Sequence, residues 1–172
     1  MITEVDRRVL GRAVEVAAGA AADGEQPFAA VLVGADGALL RVEHNRTAGG
    51  DPTLHAELLV ARWAVANLAP ADRASTVLYC SGEPCPMCAG AHGWAGLGRI
   101  VYAVEATRIV EWLAEAGVPA PPVRPVPVRD VLPAVDIAGP LPAEDRQIER
   151  LRRLFRRSDG REPAHAAVDH PG

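Results

Sequence analysis

Thr76-Val77-Leu78-Tyr79-Cys80 is a short apolar run, the signature of a buried strand. The corner Glu83-Pro84-Cys85-Pro86-Met87-Cys88 follows, where the prolines end extended structure and open a helix. A second strand-like run, Arg99-Ile100-Val101-Tyr102-Ala103-Val104, comes next. Upstream, residues 27–33 and 38–43 flank the turn Gly34-Ala35-Asp36-Gly37 and read as a β-hairpin. Ahead of the hairpin, residues 4–22 carry a helical pattern that stops at Gly24.

The remaining segments fill in around these. Residues 44–52 read as a loop, and a helix is expected from near Thr53, its plausible cap, to about Leu68. The polar stretch from Ala69 to Ser75 is a connection, and residues 107–116 suit a helix. Eight prolines between Pro119 and Pro142 confine any strand there, such as Val126 to Val131, to a sheet edge. A last helix spans Ala143 to Arg157, with Ile148, Leu151, Leu154 and Phe155 on one face. Residues 158–172 have little to bury and are expected to form a disordered tail. Strands alternating with helices after the hairpin imply an α/β fold, a three-layer α/β/α sandwich with a mixed, about five-stranded sheet. Residues 1–157 form its single domain.

Composition narrows the function. The chain has 172 residues, 49% of them apolar, enough to bury a core without disulfides. Its net charge is −4, which argues against nucleic acid as a partner, and all 18 basic residues are arginine, a bias of composition. Three cysteines, two of them in a C-x-x-C, suit metal-bound thiolates in a reducing cytoplasm better than a disulfide framework. No stretch is long and apolar enough to span a membrane, so a cytoplasmic location is expected.

Two segments carry the chemistry: Asp51-Pro52-Thr53-Leu54-His55-Ala56-Glu57 and the Cys85-Cys88 corner. Together they offer one imidazole, two thiols and one carboxylate. A Cys2His set at helix starts suits Zn²⁺ and leaves a fourth tetrahedral position for water. Glu57, two residues beyond His55, can then shuttle protons without binding the metal. The bland alternative is a closed structural zinc site in which His92, four residues after Cys88, is the fourth ligand; such a site belongs to a zinc-stabilised nucleic-acid-binding module. Cys80 reads as a small buried strand residue.

The H-x-E and P-C-x-x-C pair is the general signature of zinc nucleobase deaminases. Residues 26–105 resemble the cytidine deaminase superfamily, particularly its free-base and tRNA-adenosine branches. The resemblance runs through Pro27-Phe28, Asn45, Asp51-Pro52-Thr53, His55-Ala56-Glu57, Glu83 to Ala91 and Tyr102. It implies zinc on His55, Cys85 and Cys88, Glu57 as the catalytic acid/base, and a homodimer. It also implies a small aminated base as substrate, contacted by Asn45, Phe28, Trp94 and Ala56. Trp94 either covers the pocket or packs against the sheet. Cys85-Pro86-Met87-Cys88, Trp94-Ala95 and Tyr102 to Glu105 look most like bacterial guanine deaminases. Those enzymes read guanine with an acid that falls in register near Ala116, leaving Glu111 and Glu115 as approximate substitutes. The C-terminal arginines, 146, 150, 152, 153, 156 and 157, either contact tRNA phosphates or form a solvated face.

Overall fold

The computed structural model describes residues 1–157, so the tail expected over 158–172 lies outside the described residues. Helix α1 (Glu4–Ala22) starts with a reciprocal cap. The Thr3 hydroxyl accepts the Asp6 N–H at 3.1 Å, and the Asp6 carboxylate accepts the Thr3 N–H at 2.8 Å. Strands β1 (Ala29–Val33) and β2 (Leu39–His44) form the expected hairpin. Then come α2 (Ala56–Asn67), α3 (Pro70–Ala74), β3 (Val77–Gly82), α4 (Pro86–Ala95) and β4 (Arg99–Val104). The order ends with α5 (Ala106–Glu115), α6 (Val128–Val131), β5 (Ile137–Ala138) and α7 (Arg146–Arg157).

The five strands lie in the order β2-β1-β3-β4-β5. The hairpin side is antiparallel and β3, β4 and β5 are parallel, giving the mixed sheet the sequence implied. Alternation along β3 and β4 sends side chains to both faces. Leu78, Cys80, Ile100 and Tyr102 pack on one side with Val60, Ala61, Ala89 and Val128. Tyr79, Val101 and Ala103 pack on the other with Leu10, Val14, Trp112, Leu151 and Phe155. Two cores, one per face, make the three layers. The parallel strands β3 and β4 end on the same rim of the sheet, and the β3 exit leads straight into the C-x-x-C corner.

Some boundaries differ from the sequence reading, each for a local reason. The stretch Val126 to Val131 is not a strand: Pro127 precedes the short helix α6, and the Val128 N–H goes to the Glu83 carboxylate at 2.9 Å. The edge strand is instead Ile137–Ala138. The Ala69–Ser75 connection contains α3, opened by Pro70 at its first turn. Helix α7 begins at Arg146, because the Asp145 side chain accepts the Gln147 N–H at 2.9 Å.

Candidate active site

The β3 exit is tightly held. A Cβ at Gly82 would sit 2.8 Å from Ile109 Cδ1 and 3.2 Å from Phe28 Cε1, so the strand end fits closely against both. Glu83 then clamps three segments: its N–H donates to the Val104 carbonyl at 2.7 Å, Oε2 accepts the Ala106 N–H, and Oε1 accepts the Val128 N–H. Cys85 is the N-cap of α4, Pro86 fills the first helical position where no N–H is needed, and Cys88 lies in the first turn. Both sulfurs therefore sit where helix amides favour thiolate.

His55 arrives on the other helix start. It is the N-cap of α2 and not part of its first turn, so the helix begins three residues later than Thr53. Thr53 is occupied elsewhere, its N–H and hydroxyl both donating to Asp51 Oδ1, at 2.9 and 2.6 Å. The His55 ring does not cap the helix. Instead Asn45 Oδ1 reaches across and accepts the Ala56 N–H at 3.0 Å, which fixes the backbone between His55 and Glu57.

His55, Cys85 and Cys88 converge. Their donor atoms all lie within 4.8 Å of one another, and each sulfur is 3.6 Å from His55 Nδ1. Tetrahedral zinc with bonds of about 2.3 Å to sulfur and about 2.0 Å to nitrogen places those atoms about 3.5 Å apart. The donor set and its spacing fit zinc. Cys85 is drawn down to about 4, by a hydrogen bond from Cys88 and then by His55, while Cys88 is held above its ordinary range by its hydrogen bond to Cys85 and by burial. His55 is raised by its hydrogen bond with Cys85. Glu57, 6% exposed, is pushed up to about 7 by burial, against the opposing pull of its own backbone N–H and of His55. Cys80 lies under the site, fully buried, its thiol raised by the same desolvation.

The other expected site residues divide. His92 stands outside the metal cluster: it is buried on α4 and its Nε2 bonds the Gly98 carbonyl oxygen at 2.8 Å, so the closed four-ligand site does not form. Asn45 is 1% exposed and spends its amide on the protein, accepting from Ala56 and donating to Gln26 Oε1 at 3.0 Å. Ala56 is fully buried beneath it. Phe28 packs edge-on against Phe155, with centroids 5.3 Å apart. Trp94 neither covers a pocket nor packs on the sheet; it is 95% exposed on α4. Glu111 and Glu115 are exposed and bound to arginine, Glu111 to Arg108 at 2.9 Å and Glu115 to Arg152 at 3.0 Å. Two residues with evident work had no role assigned from sequence, Glu83 and Gln26. The signal for Glu83 was its place inside the Glu-Pro-Cys-Pro run; Gln26 had none.

The chain is similar to known proteins in sequence and in fold. The Schizosaccharomyces pombe protein named Probable cytosine deaminase is 29% identical over 143 residues, 81% of this chain and 86% of its own. A guanine deaminase of Bacillus subtilis is 43% identical over 86 residues, 49% of this chain and 54% of that one. The solved guanine deaminase from Nitrosomonas europaea superposes with a TM-score of 0.68 at 26% identity, covering 87% of this chain and 82% of that chain. Residues 3–104 match the cytidine and deoxycytidylate deaminase zinc-binding region, and the chain belongs to that family of zinc-dependent deaminases.

Proposed function

We propose that this protein is a hydrolytic deaminase of a small free nucleobase or a related aminated heterocycle, releasing ammonia. The observation that carries this reading is the three-donor cluster with buried Glu57 two residues along from His55. His55, Cys85 and Cys88 would hold the zinc, which would supply Lewis acidity enough to make water a nucleophile near neutral pH. Glu57 takes a proton from the attacking water at its carboxylate and passes it to the ring nitrogen beside the amino-bearing carbon. A C–O bond forms at that carbon. Glu57 then delivers the second water proton to the amino nitrogen, the C–N bond breaks, and ammonia leaves an oxo-substituted ring. A carboxyl poised near neutrality suits both halves of this transfer.

The similarity to cytosine and guanine deaminases supports a free base as substrate. A tRNA-adenosine substrate draws no support from α7, where Arg152, Arg153 and Arg156 pair with Glu115 and Glu149 on a chain of net charge −4. The same reading takes the protein to be cytoplasmic and homodimeric. Reduced thiols at the metal cluster support the first, and the bare Trp94 indole on α4 supports the second. No helix among the described residues is long and apolar enough to cross a membrane. The test is ammonia release from a panel of cytosine, guanine, other aminopurines, amino-triazines, nucleosides and tRNA. Activity should appear with a free base and vanish in Glu57→Ala with zinc still bound; release from tRNA alone would overturn the reading. Light scattering that finds only monomer would overturn the dimer.

A further inference from the structure

Glu83 holds a cleft open beside its own corner. It accepts the Ala106 N–H beyond β4 and the Val128 N–H at the start of α6, both at 2.9 Å, which fixes two walls. The exit of β5 supplies the next: the Leu141 N–H donates to the Ala103 carbonyl at 2.9 Å, and a Cβ at Gly139 would lie 2.8 Å from the Tyr102 ring. The result is a cavity of about 310 Å³ outside the carboxyl ends of β3, β4 and β5, the rim on which open α/β sheets take their ligands. None of His55, Glu57, Cys85 and Cys88 lines it. Pro125, Pro127, Pro140 and Tyr102 give it flat apolar surfaces. Two opposite charges line it as well, and they do not pair with each other. Glu105 is the N-cap residue of α5 without capping it, and among the described residues its carboxylate has no hydrogen bond or ion pair. The Arg129 guanidinium turns to the Tyr102 hydroxyl, on a residue only 4% exposed, and has no carboxylate partner among the described residues. Both charges lie close enough to bear on that hydroxyl, with opposite effect.

We propose that this cavity is a second small-molecule site, for a flat neutral ring with an amino-lactam edge of the kind guanine and isocytosine carry. On that edge the ring N–H and the exocyclic amino group donate to the two oxygens of Glu105. The neighbouring oxo oxygen accepts from Arg129, and the ring lies against the prolines and Tyr102. Charge selects this class: two carboxylates, Glu83 and Glu105, against one guanidinium leave the lining net negative, which opposes phosphate esters and other anions. The volume is at the small end for ligand pockets and suits one base. A zwitterionic amino acid could match both charges but has no flat face for the proline walls. Glu83 is common to this cavity and to the corner that leads to Cys85, so a ring bound here touches the segment that shapes the metal centre. The site holds none of the metal donors, and its occupancy does not depend on the deaminase reading.

The zinc-loaded full chain carrying Glu57→Ala, so that no probe is consumed, is titrated with isocytosine and with guanine and followed by amide NMR. The amides of Tyr102, Glu105, Thr107 and Gly139 should shift and saturate. Adding Glu105→Gln or Arg129→Met should raise the Kd read at those amides by at least about fivefold, the worth of one good paired contact to a base. Shifts near Ala56 and Cys88, which report the metal site, should keep their Kd in both variants, and Tm should stay near the parent's. Uracil, which lacks the amino group, and glycine, which has the charges without the ring, should bind at the cavity at least about fivefold more weakly than isocytosine. Shifts confined to the metal site would overturn the inference. So would a folded variant that binds at the cavity as tightly as its parent, or glycine or uracil binding there as tightly as isocytosine. If one variant fails to fold, the other decides. A wild type that releases no ammonia yet shows these cavity shifts keeps this inference and loses the deaminase reading; ammonia release without them does the reverse.

Discussion

Buried Asp6 and half-buried Arg99, far apart in sequence, form an ion pair that ties the first turn of α1 to the start of β4. Arg99 Nη1 donates to Asp6 Oδ1 at 3.0 Å, and Tyr79 adds its hydroxyl at 2.9 Å. Burial pushes the Asp6 carboxyl up, but Thr3, Arg99 and Tyr79 together outweigh it and hold the group below its ordinary value. Asp6 therefore contributes stability that is fully present above the unfolded carboxylate range, near about 4, and is lost as pH falls through the lower folded-state value. Asp6→Asn should cost about 1–3 kcal/mol at pH 7, since it removes the carboxylate facing Arg99 while Arg99 keeps Asp136 at 3.1 Å. Thermal melts across pH should show the gap between variant and wild type closing on acidification; a gap independent of pH would contradict this account.

Glu83 offers a second stability test close to the chemistry. Its two oxygens accept backbone N–H groups from Ala106 and Val128. Glu83→Gln replaces one acceptor with a donor facing a donor, at about 1–3 kcal/mol. Because Glu83 sets the corner from which Cys85 departs, zinc retention after dialysis should fall along with Tm. Wild-type retention with a lowered Tm would show that the clamp does not orient the corner.

Gly98 tolerates no side chain. An added Cβ would lie 2.3 Å from the Thr76 carbonyl oxygen and 2.6 Å from that of Ala74, both rigid backbone. Gly98→Ala should destabilise by about 1–3 kcal/mol or more as β4 shifts away from the α3–β3 junction. Chemical denaturation measures this directly, and a cost under about 0.5 kcal/mol would be inconsistent with the packing.

Glu57 predicts a change of the opposite sign. Burial raises it to about 7, so the metal-free fold holds its proton more tightly than the unfolded chain does. A raised carboxyl penalises the fold increasingly as pH climbs from the unfolded value near about 4 to the folded one, and the penalty is then constant. Metal-free Glu57→Gln should be more stable than metal-free wild type at pH 8, by on the order of 3 kcal/mol, and equal to it at pH 4. Equal melting temperatures at pH 8 would contradict the desolvation account.

Much of this was legible in the sequence, because periodicity and proline placement are local signals. The runs at 76–80 and 99–104 gave β3 and β4, and Cys85-Pro86 marked its own helix start. The metal donors were legible because few uses fit that combination of residue types. What escaped were the hydrogen bonds made across the chain. Thr53 looked like a cap, yet Asp51 took its donors and Asn45 did the capping from a distant loop. Trp94 and Glu111 carried no sequence signal for which way they face, and both turned to solvent. The strand expected near Val126 failed because Val128 gave its N–H to Glu83, a partner 45 residues back.

The three metal donors come from two helix starts that meet only when α2 docks on α4. In the denatured chain the two cysteines remain neighbours, but the imidazole is thirty residues upstream of the first of them. The ion therefore discriminates between the finished fold and its loose precursors, and each tenfold of free metal above the dissociation constant adds about 1.4 kcal/mol in favour of the former. Scarcity of zinc and a damaging core substitution would then be felt by the molecule as the same injury, and either could be relieved by correcting the other.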